Sequence, residues 1–195
     1  MNIHFKNTII KITPDVYEPC EDSFLLAQAA LSIIQNSENI LEVGCGSGII
    51  SAVIKNNTKA RITGIDINPH AVQCTKENGV DAIHGNLLSC IKGKFEIIIF
   101  NPPYLPTKDE ERTGDWINVA LDGGNDGREI INRFLVEACD HLVENGRILM
   151  LVSSFTGIEE VKSKMISLGY FVKEISKERY NFEELLVIAG TIVKK

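Results

Sequence analysis

Asn101-Pro102-Pro103-Tyr104 sets an amide side chain, two rigid carbonyls and an aromatic ring side by side, directly after the apolar run Phe95-Glu96-Ile97-Ile98-Ile99-Phe100. The run is β-branched and aromatic, so it reads as a buried strand. The tetrapeptide then falls at the C-terminal end of that strand, the edge at which open α/β sheets bind ligands. Such a set suits transfer to a planar nitrogen, a side-chain amide or a base amino group, whose delocalised lone pair makes it a poor nucleophile. The amide oxygen of Asn101 and the carbonyl of Pro102 can each accept one N–H, which favours a pyramidal nitrogen and turns two carbonyl dipoles toward the developing positive charge. Consecutive prolines fix φ near about −65° and bring no N–H of their own, so the carbonyls are in place before substrate arrives. Tyr104 can stack on the planar group. The plainer alternative is a strand exit that leads into a loop and does nothing more.

A second motif, Glu42-Val43-Gly44-Cys45-Gly46-Ser47-Gly48, follows Ile40-Leu41 and precedes an amphipathic stretch from Ile49 to Lys55. Strand, glycine turn and helix follow one another there, and the glycines allow positive φ and close approach of a ligand. The spacing Gly-x-Gly-x-Gly departs from the dinucleotide fingerprint Gly-x-Gly-x-x-Gly, although Asp66 supplies an acid at the distance expected for a ribose. Glu42 tilts the choice of ligand, because a carboxylate beside the loop repels a pyrophosphate and suits a cation. S-adenosylmethionine, with its sulfonium and α-ammonium groups, meets that requirement where a dinucleotide does not.

Together, Glu42 to Gly48, Asp66 and Asn101 to Tyr104 resemble the class I S-adenosylmethionine-dependent methyltransferases that act on amino and amide nitrogens. Val16-Tyr17-Glu18-Pro19-Cys20-Glu21-Asp22-Ser23 and Asp122-Gly123-Gly124-Asn125-Asp126-Gly127-Arg128-Glu129 narrow the resemblance to the HemK-like glutamine methyltransferases of translation release factors. The short N-terminus resembles the archaeal and eukaryotic branch. Bacterial members carry a helical domain ahead of the catalytic one, for which the roughly twenty residues before the first helical stretch leave no room.

The resemblance covers nearly the whole chain and implies one α/β methyltransferase domain over residues 1–195, doubly wound, with a seven-stranded sheet whose last strand is antiparallel. It implies catalysis by Asn101, Pro102, Pro103 and Tyr104. It also implies a cofactor turn of Glu42, Gly44, Cys45, Gly46 and Gly48, with Asp66 on the ribose, Ser23 near the methionine end, and Ile67 and Asn101 among the cofactor-binding residues. The Asp-Leu pair that contacts adenine in the family is Asn86-Leu87 here. Asn keeps an acceptor oxygen and gains a donor but loses a charge-assisted bond, a loss of roughly 1 kcal/mol. Cys45 and Cys20 read as small side chains rather than reactive thiols. In the family the methyl acceptor is a glutamine flanked by two glycines, in a release factor. Enzymes of this branch commonly work with a small zinc-binding activator protein that adds a strand to the sheet. Val80-Asp81-Ala82-Ile83-His84 would be the exposed edge that receives it, giving a heterodimer.

Composition agrees. With 195 residues, of which 44% are hydrophobic, the chain suits one compact unit with a sizeable core. Five cysteines form no Cys-x-x-Cys pair, an arrangement expected of reduced thiols in a cytoplasmic protein and not of a disulfide framework or structural zinc site. The four histidines stand apart from any ligand spacing, so no metal is expected. No apolar stretch approaches the roughly 20 residues of a membrane span. Net charge is −6 and no basic stripe is present, which disfavours nucleic acid as a direct substrate. Clusters such as Lys173, Lys177 and Arg179, or Lys92 and Lys94, read as solvated faces. A nucleic-acid amino methyltransferase, a protein-lysine methyltransferase and a non-catalytic scaffold remain the alternatives.

The elements that would position these motifs alternate. Helices are expected over 22–35, 47–56, 128–143 and 157–168, and strands over 40–43, 61–65, 80–84, 95–100, 147–152, 170–175 and 185–193. Asn68-Pro69 marks the start of a further helix ending near Gly79. The long loop from Leu105 to Asp126 should form one wall of the substrate site. Trp116 within it either covers the target side chain or pins the loop to the body. Gly123, Gly124 and Gly127 are expected to let backbone approach a glycine-rich peptide.

Overall fold

The computed structural model describes residues 1–35 and 38–192. Period-2 alternation organises its core: Ile40, Ile97, Ile99, Leu149, Leu151 and Val187 face one side of a sheet, where helices α1 (Glu21–Ile33) and α2 (Ile49–Asn57) cover them. Leu41, Val43, Ile98, Phe100, Ile148, Met150 and Ile188 face the other side, under α5 (Glu129–His141) and α6 (Ile158–Ser167). Strands buried on both faces read as near-continuous apolar runs. Phe100 and Phe134 meet with ring centroids 4.6 Å apart, joining the strand that ends at Phe100 to α5.

The sheet has seven strands among the described residues, ordered β5-β4-β3-β6-β7-β9-β8. Their ranges are β3 Asn39–Val43, β4 Arg61–Asp66, β5 Asp81–His84, β6 Phe95–Phe100, β7 Leu142–Ser153, β8 Tyr170–Arg179 and β9 Glu184–Ile192. The first five of that order are parallel, and β9 runs antiparallel to both β7 and β8. The expected doubly wound sheet with an antiparallel last strand is therefore present. The chain winds outward from β3 through β4 to β5, then returns to place β6 on the other flank of β3. That reversal opens a crevice at the strands' C-terminal ends.

Several boundaries differ from the sequence reading for local reasons. Ahead of residue 22, where the sequence reading placed no element, β1 (Asn2–Phe5) and β2 (Thr8–Lys11) form a hairpin closed by Lys6 and Asn7, both at positive φ. A two-residue turn of that kind is normally announced by Asn-Gly, and its signal is absent here. α2 begins at Ile49 rather than residue 47, because Gly48 at φ 78 is its N-cap. β7 starts at Leu142, five residues before the expected start at 147, with the ladder shifting register between Phe95 and Ile97. β8 runs on to Arg179, well past 175. Val193, expected to close the last strand, lies outside the described residues. α3 (Pro69–Glu77) starts as expected, with Asn68 as N-cap accepting from His70 N–H at 2.9 Å.

Candidate active site

β3 and β6 end side by side, with Val43 paired to Phe100, so the two sequence motifs leave the sheet as neighbours. Above them lies a cavity of about 320 Å³ lined by Ser23, Glu42, Gly44, Cys45, Gly46, Asp66, Ile67, Asn86, Leu87, Asn101, Pro102, Pro103 and Tyr104. Residues 78 positions apart in the chain, Ser23 and Asn101, thus share one concavity of the size that holds a small-molecule ligand.

Gly48 is the exception among the expected cofactor residues, since it does not line the cavity. A Cβ there would stand 2.9 Å from Thr75 Oγ1 and 3.1 Å from Thr75 Cα, so this glycine lets α2 pack against α3. Gly46 is different: at φ 53 with nothing within 4 Å of a notional Cβ, it leaves open space where a ligand can lie against backbone. Cys45 is 3% exposed, accepts from Thr75 Oγ1 at 3.4 Å, and has its thiol pushed well up by burial. It behaves as the small buried side chain expected.

Glu42 requires a correction. Its carboxyl is 2% exposed and accepts from both the backbone N–H and the hydroxyl of Ser51, in the first turn of α2. Burial outweighs those two bonds and, helped by Asp66, pushes its pKa up to about 8. Burial therefore favours the neutral form of Glu42, which anchors the start of α2 through Ser51. A cation in the cavity would favour its ionised form.

Asp66 ends β4 and bridges the turn: Oδ2 accepts from Gly46 N–H and Oδ1 from Asn68 N–H, each at 2.8 Å. Burial raises its pKa against the pull of those backbone bonds. Each oxygen keeps a lone pair that can take a ribose hydroxyl. The side-chain oxygen of Asn86 accepts from Arg133 Nη2 at 3.3 Å and keeps a second lone pair, so both that oxygen and the amide N–H can meet a base edge. Arg133 is a lining residue that the sequence reading missed.

Asn101 is held from behind. Its Nδ2 donates to Asp22 Oδ2 at 3.0 Å and to Ser23 Oγ at 3.5 Å, while its Oδ1 is buried with no hydrogen-bond partner. An orphaned buried acceptor costs about 1–3 kcal/mol, a cost relieved when a donor enters. Catalytic hydrogen bonds often close only once substrate is present. Burial pushes the hydroxyls of Tyr17 and Tyr104 well above the phenol range, with Asp22 adding to both, so neither can serve as a base at neutral pH. Asp22 sits in the quoted 16–23 segment, yet only the tertiary structure brings it to Asn101.

The long loop is not structureless. It contains α4 (Trp116–Leu121), capped by Asp115, whose carboxylate accepts from Asn118 N–H at 3.0 Å. Trp116, Val119 and Leu121 line the cavity wall, so the expectation of a loop-built wall holds. The expectation for Gly123 and Gly127 does not. A Cβ on Gly127 would lie 2.5 Å from Tyr104 O, and one on Gly123 2.9 Å from Pro103 O. These glycines let the loop fold onto the carbonyls that follow Asn101, and their space is taken by the protein's own backbone. Lys177, one of the clustered cations, pairs with Glu184 at 2.8 Å on a solvated edge.

A parallel sheet that reverses at β3 and β6, an acid ending β4 and an amide-lined cavity define a class I S-adenosylmethionine-dependent methyltransferase. Comparison with known proteins agrees. Residues 22–122, just over half of the chain, match the methyltransferase small domain family. A Methanocaldococcus jannaschii protein to which protein N5-glutamine methyltransferase activity is ascribed is 39% identical over 194 residues, covering 96% of this chain and 98% of its own. Mouse methyltransferase HEMK2 is 37% identical over 171 residues, covering 80% and 79%. The Mtq2–Trm112 complex of E. cuniculi, described as responsible for methylation of the eRF1 translation termination factor, superposes with a TM-score of 0.76. That match is 26% identical and covers 91% of this chain and 99% of its counterpart. The chain belongs to the HemK-like branch of the small-domain methyltransferase family, enzymes whose cofactor is S-adenosylmethionine. No helix among the described residues is long and apolar enough to cross a membrane.

Proposed function

We propose that this enzyme methylates the side-chain amide nitrogen of a glutamine in a translation release factor. One observation carries the reading: the Asn101 oxygen is a buried acceptor with no donor, set in the same cavity as the glycine turn. A primary amide supplies the two N–H groups that Asn101 Oδ1 and the Pro102 carbonyl can receive. The choice of a release-factor glutamine rests on the M. jannaschii relative and on the eRF1 methylation ascribed to Mtq2–Trm112.

The residues present fit the cofactor. Gly44, Gly46 and Asp66 would hold its nucleoside, Ile67, Asn86 and Leu87 its base, and Ser23 and Glu42 its cationic methionine end. When bound, S-adenosylmethionine supplies an electrophilic methyl group on a sulfonium. Asn101 and Pro102 bind and orient the acceptor amide, drawing its N–H bonds out of the amide plane and freeing the lone pair for attack. Tyr104, neutral at working pH, covers the flat face of the amide, and Trp116 closes the cavity from the loop side. Departure of one amide proton restores planarity. No ionisable side chain of this chain is required to take it, and water can do so.

A small zinc-binding activator would add a strand at β5, which the sheet order leaves at one edge. All five cysteines are free, consistent with work in the cytoplasm. The test is transfer of labelled methyl to a release factor and to its Gln→Ala variant, with and without the activator. Label on the wild-type factor alone supports the reading; cofactor binding without transfer to either factor overturns it.

A further inference from the structure

Asp22 has no role in the mechanism above, yet it is 4% exposed and both of its side-chain oxygens accept hydrogen bonds. Its Oδ1 accepts from Ser23 N–H at 2.6 Å and Ser23 Oγ at 3.2 Å, and its Oδ2 accepts from Asn101 Nδ2 at 3.0 Å. We propose that Asp22 is a positioning residue that fixes which end of the Asn101 amide faces the methyl acceptor.

The two ends of a primary amide have nearly the same shape, so packing alone barely distinguishes them. Hydrogen bonding does. An ionised carboxylate only accepts, so the Asn101 nitrogen must turn toward Asp22 and the oxygen must turn away, where it is found buried without a donor. Reversing the amide would set oxygen against oxygen at the Asp22 contact. It would also set an N–H against the N–H of the acceptor amide. The proposal rests on the reading that the Asn101 oxygen receives a substrate N–H, and it places the origin of that polarity 79 residues away, at the first turn of α1.

Asp22→Asn tests this with almost no change in shape. The short bond from Ser23 N–H keeps the new carbonyl oxygen on its side, which leaves an NH₂ where Oδ2 faced Asn101. Asn101 then reverses to present its oxygen to that NH₂, and the acceptor meets a donor. The expected result is a fall in kcat of about a hundredfold or more, the size seen when one transition-state hydrogen bond is removed, with cofactor affinity within about threefold of wild type. Asp22→Asn combined with Asn101→Asp restores one accepting oxygen toward the substrate. It should recover at least about tenfold of the loss, while Asn101→Asp alone, which opposes two carboxylates, stays inactive. A merely structural Asp22 predicts no such rescue.

The side-chain amide of Asn101, followed by its ¹⁵N and ¹H resonances, reports orientation without any methyl acceptor. Its downfield proton, bonded to a carboxylate in the wild type, should move upfield in Asp22→Asn. Kinetics within about threefold of wild type in Asp22→Asn, a double variant no better than either single one, or an unmoved Asn101 amide would each overturn the proposal. If the wild-type enzyme labels no glutamine but the resonances move as expected, the substrate reading falls and the positioning role stands.

Discussion

Glu42→Gln separates the two things the buried carboxyl does. The side chain is 2% exposed, and its pKa is displaced from 4.5 to about 8 chiefly by burial. The displacement of about 3.5 units corresponds to roughly 5 kcal/mol at about 1.4 kcal/mol per unit. The sign follows from proton counting. Between pH 4.5 and 8 the folded protein keeps a proton that the unfolded chain has released, so stability is full below 4.5 and is lost progressively as pH rises through 8. Glutamine keeps the acceptor for Ser51 and never ionises. Denaturant unfolding of both proteins at pH 5.5, 7 and 8 should therefore show the variant gaining on the wild type by about 3 kcal/mol across that span. Asp66 acts in the same direction in both proteins and cancels in the difference. Calorimetry adds a second reading: cofactor binding near pH 7 should release up to about one proton from the wild type and correspondingly less from the variant, because a cation in the cavity favours the carboxylate. A difference in stability that does not change with pH would refute the burial argument. Equal proton release by both proteins would refute the placing of positive charge beside Glu42.

Gly48→Ala and Gly46→Ala should fail in different ways. Each adds a Cβ at positive φ, costing about 1–2 kcal/mol, but only Gly48→Ala also collides with Thr75, so its melting temperature should fall further while Gly46→Ala loses more cofactor affinity, read by thermal unfolding and titration. Asn101→Ala should lower kcat by about 10²–10³ with the fold intact, which circular dichroism and steady-state kinetics can check. At the sheet edge, Ile83 is 42% exposed whereas Ala82 is 7% exposed against Cys45 and Val72. Ile83→Lys should therefore weaken capture of an activator without unfolding the enzyme, and unchanged co-purification would count against β5 as the docking edge. A charge at Ala82 would instead damage the core. Arg112→Ala removes ion pairs to Asp122 at 3.0 Å and Glu129 at 3.6 Å, and should lower global stability by no more than about 1 kcal/mol while loosening the loop, visible as faster amide exchange around Trp116.

The alternation of Ile97 to Phe100, the glycine turn and the Asn68-Pro69 start are local patterns, and local patterns suffice for strands, turns and helix starts. They made the sheet, the glycine turn and the position of Asn101-Pro102-Pro103-Tyr104 at a strand end legible in the sequence. The β1–β2 hairpin was not, because Lys6 takes a left-handed conformation that its residue type does not announce, and Asn7, a type that tolerates it, has no glycine beside it. Nor was the purpose of three glycines. Gly48, Gly123 and Gly127 are small because another part of the chain comes within 3 Å of where a Cβ would stand, and no neighbour in sequence records that. Glu42 shows the same division for charge. Its identity and place beside the turn could be read directly, while its protonation depends on burial, which only the packed fold sets. The sequence by itself determined which groups are available to bind a cation and a planar amide. The tertiary structure alone decided which way the Asn101 amide points, because that choice is made by a carboxylate that arrives from the far end of the chain.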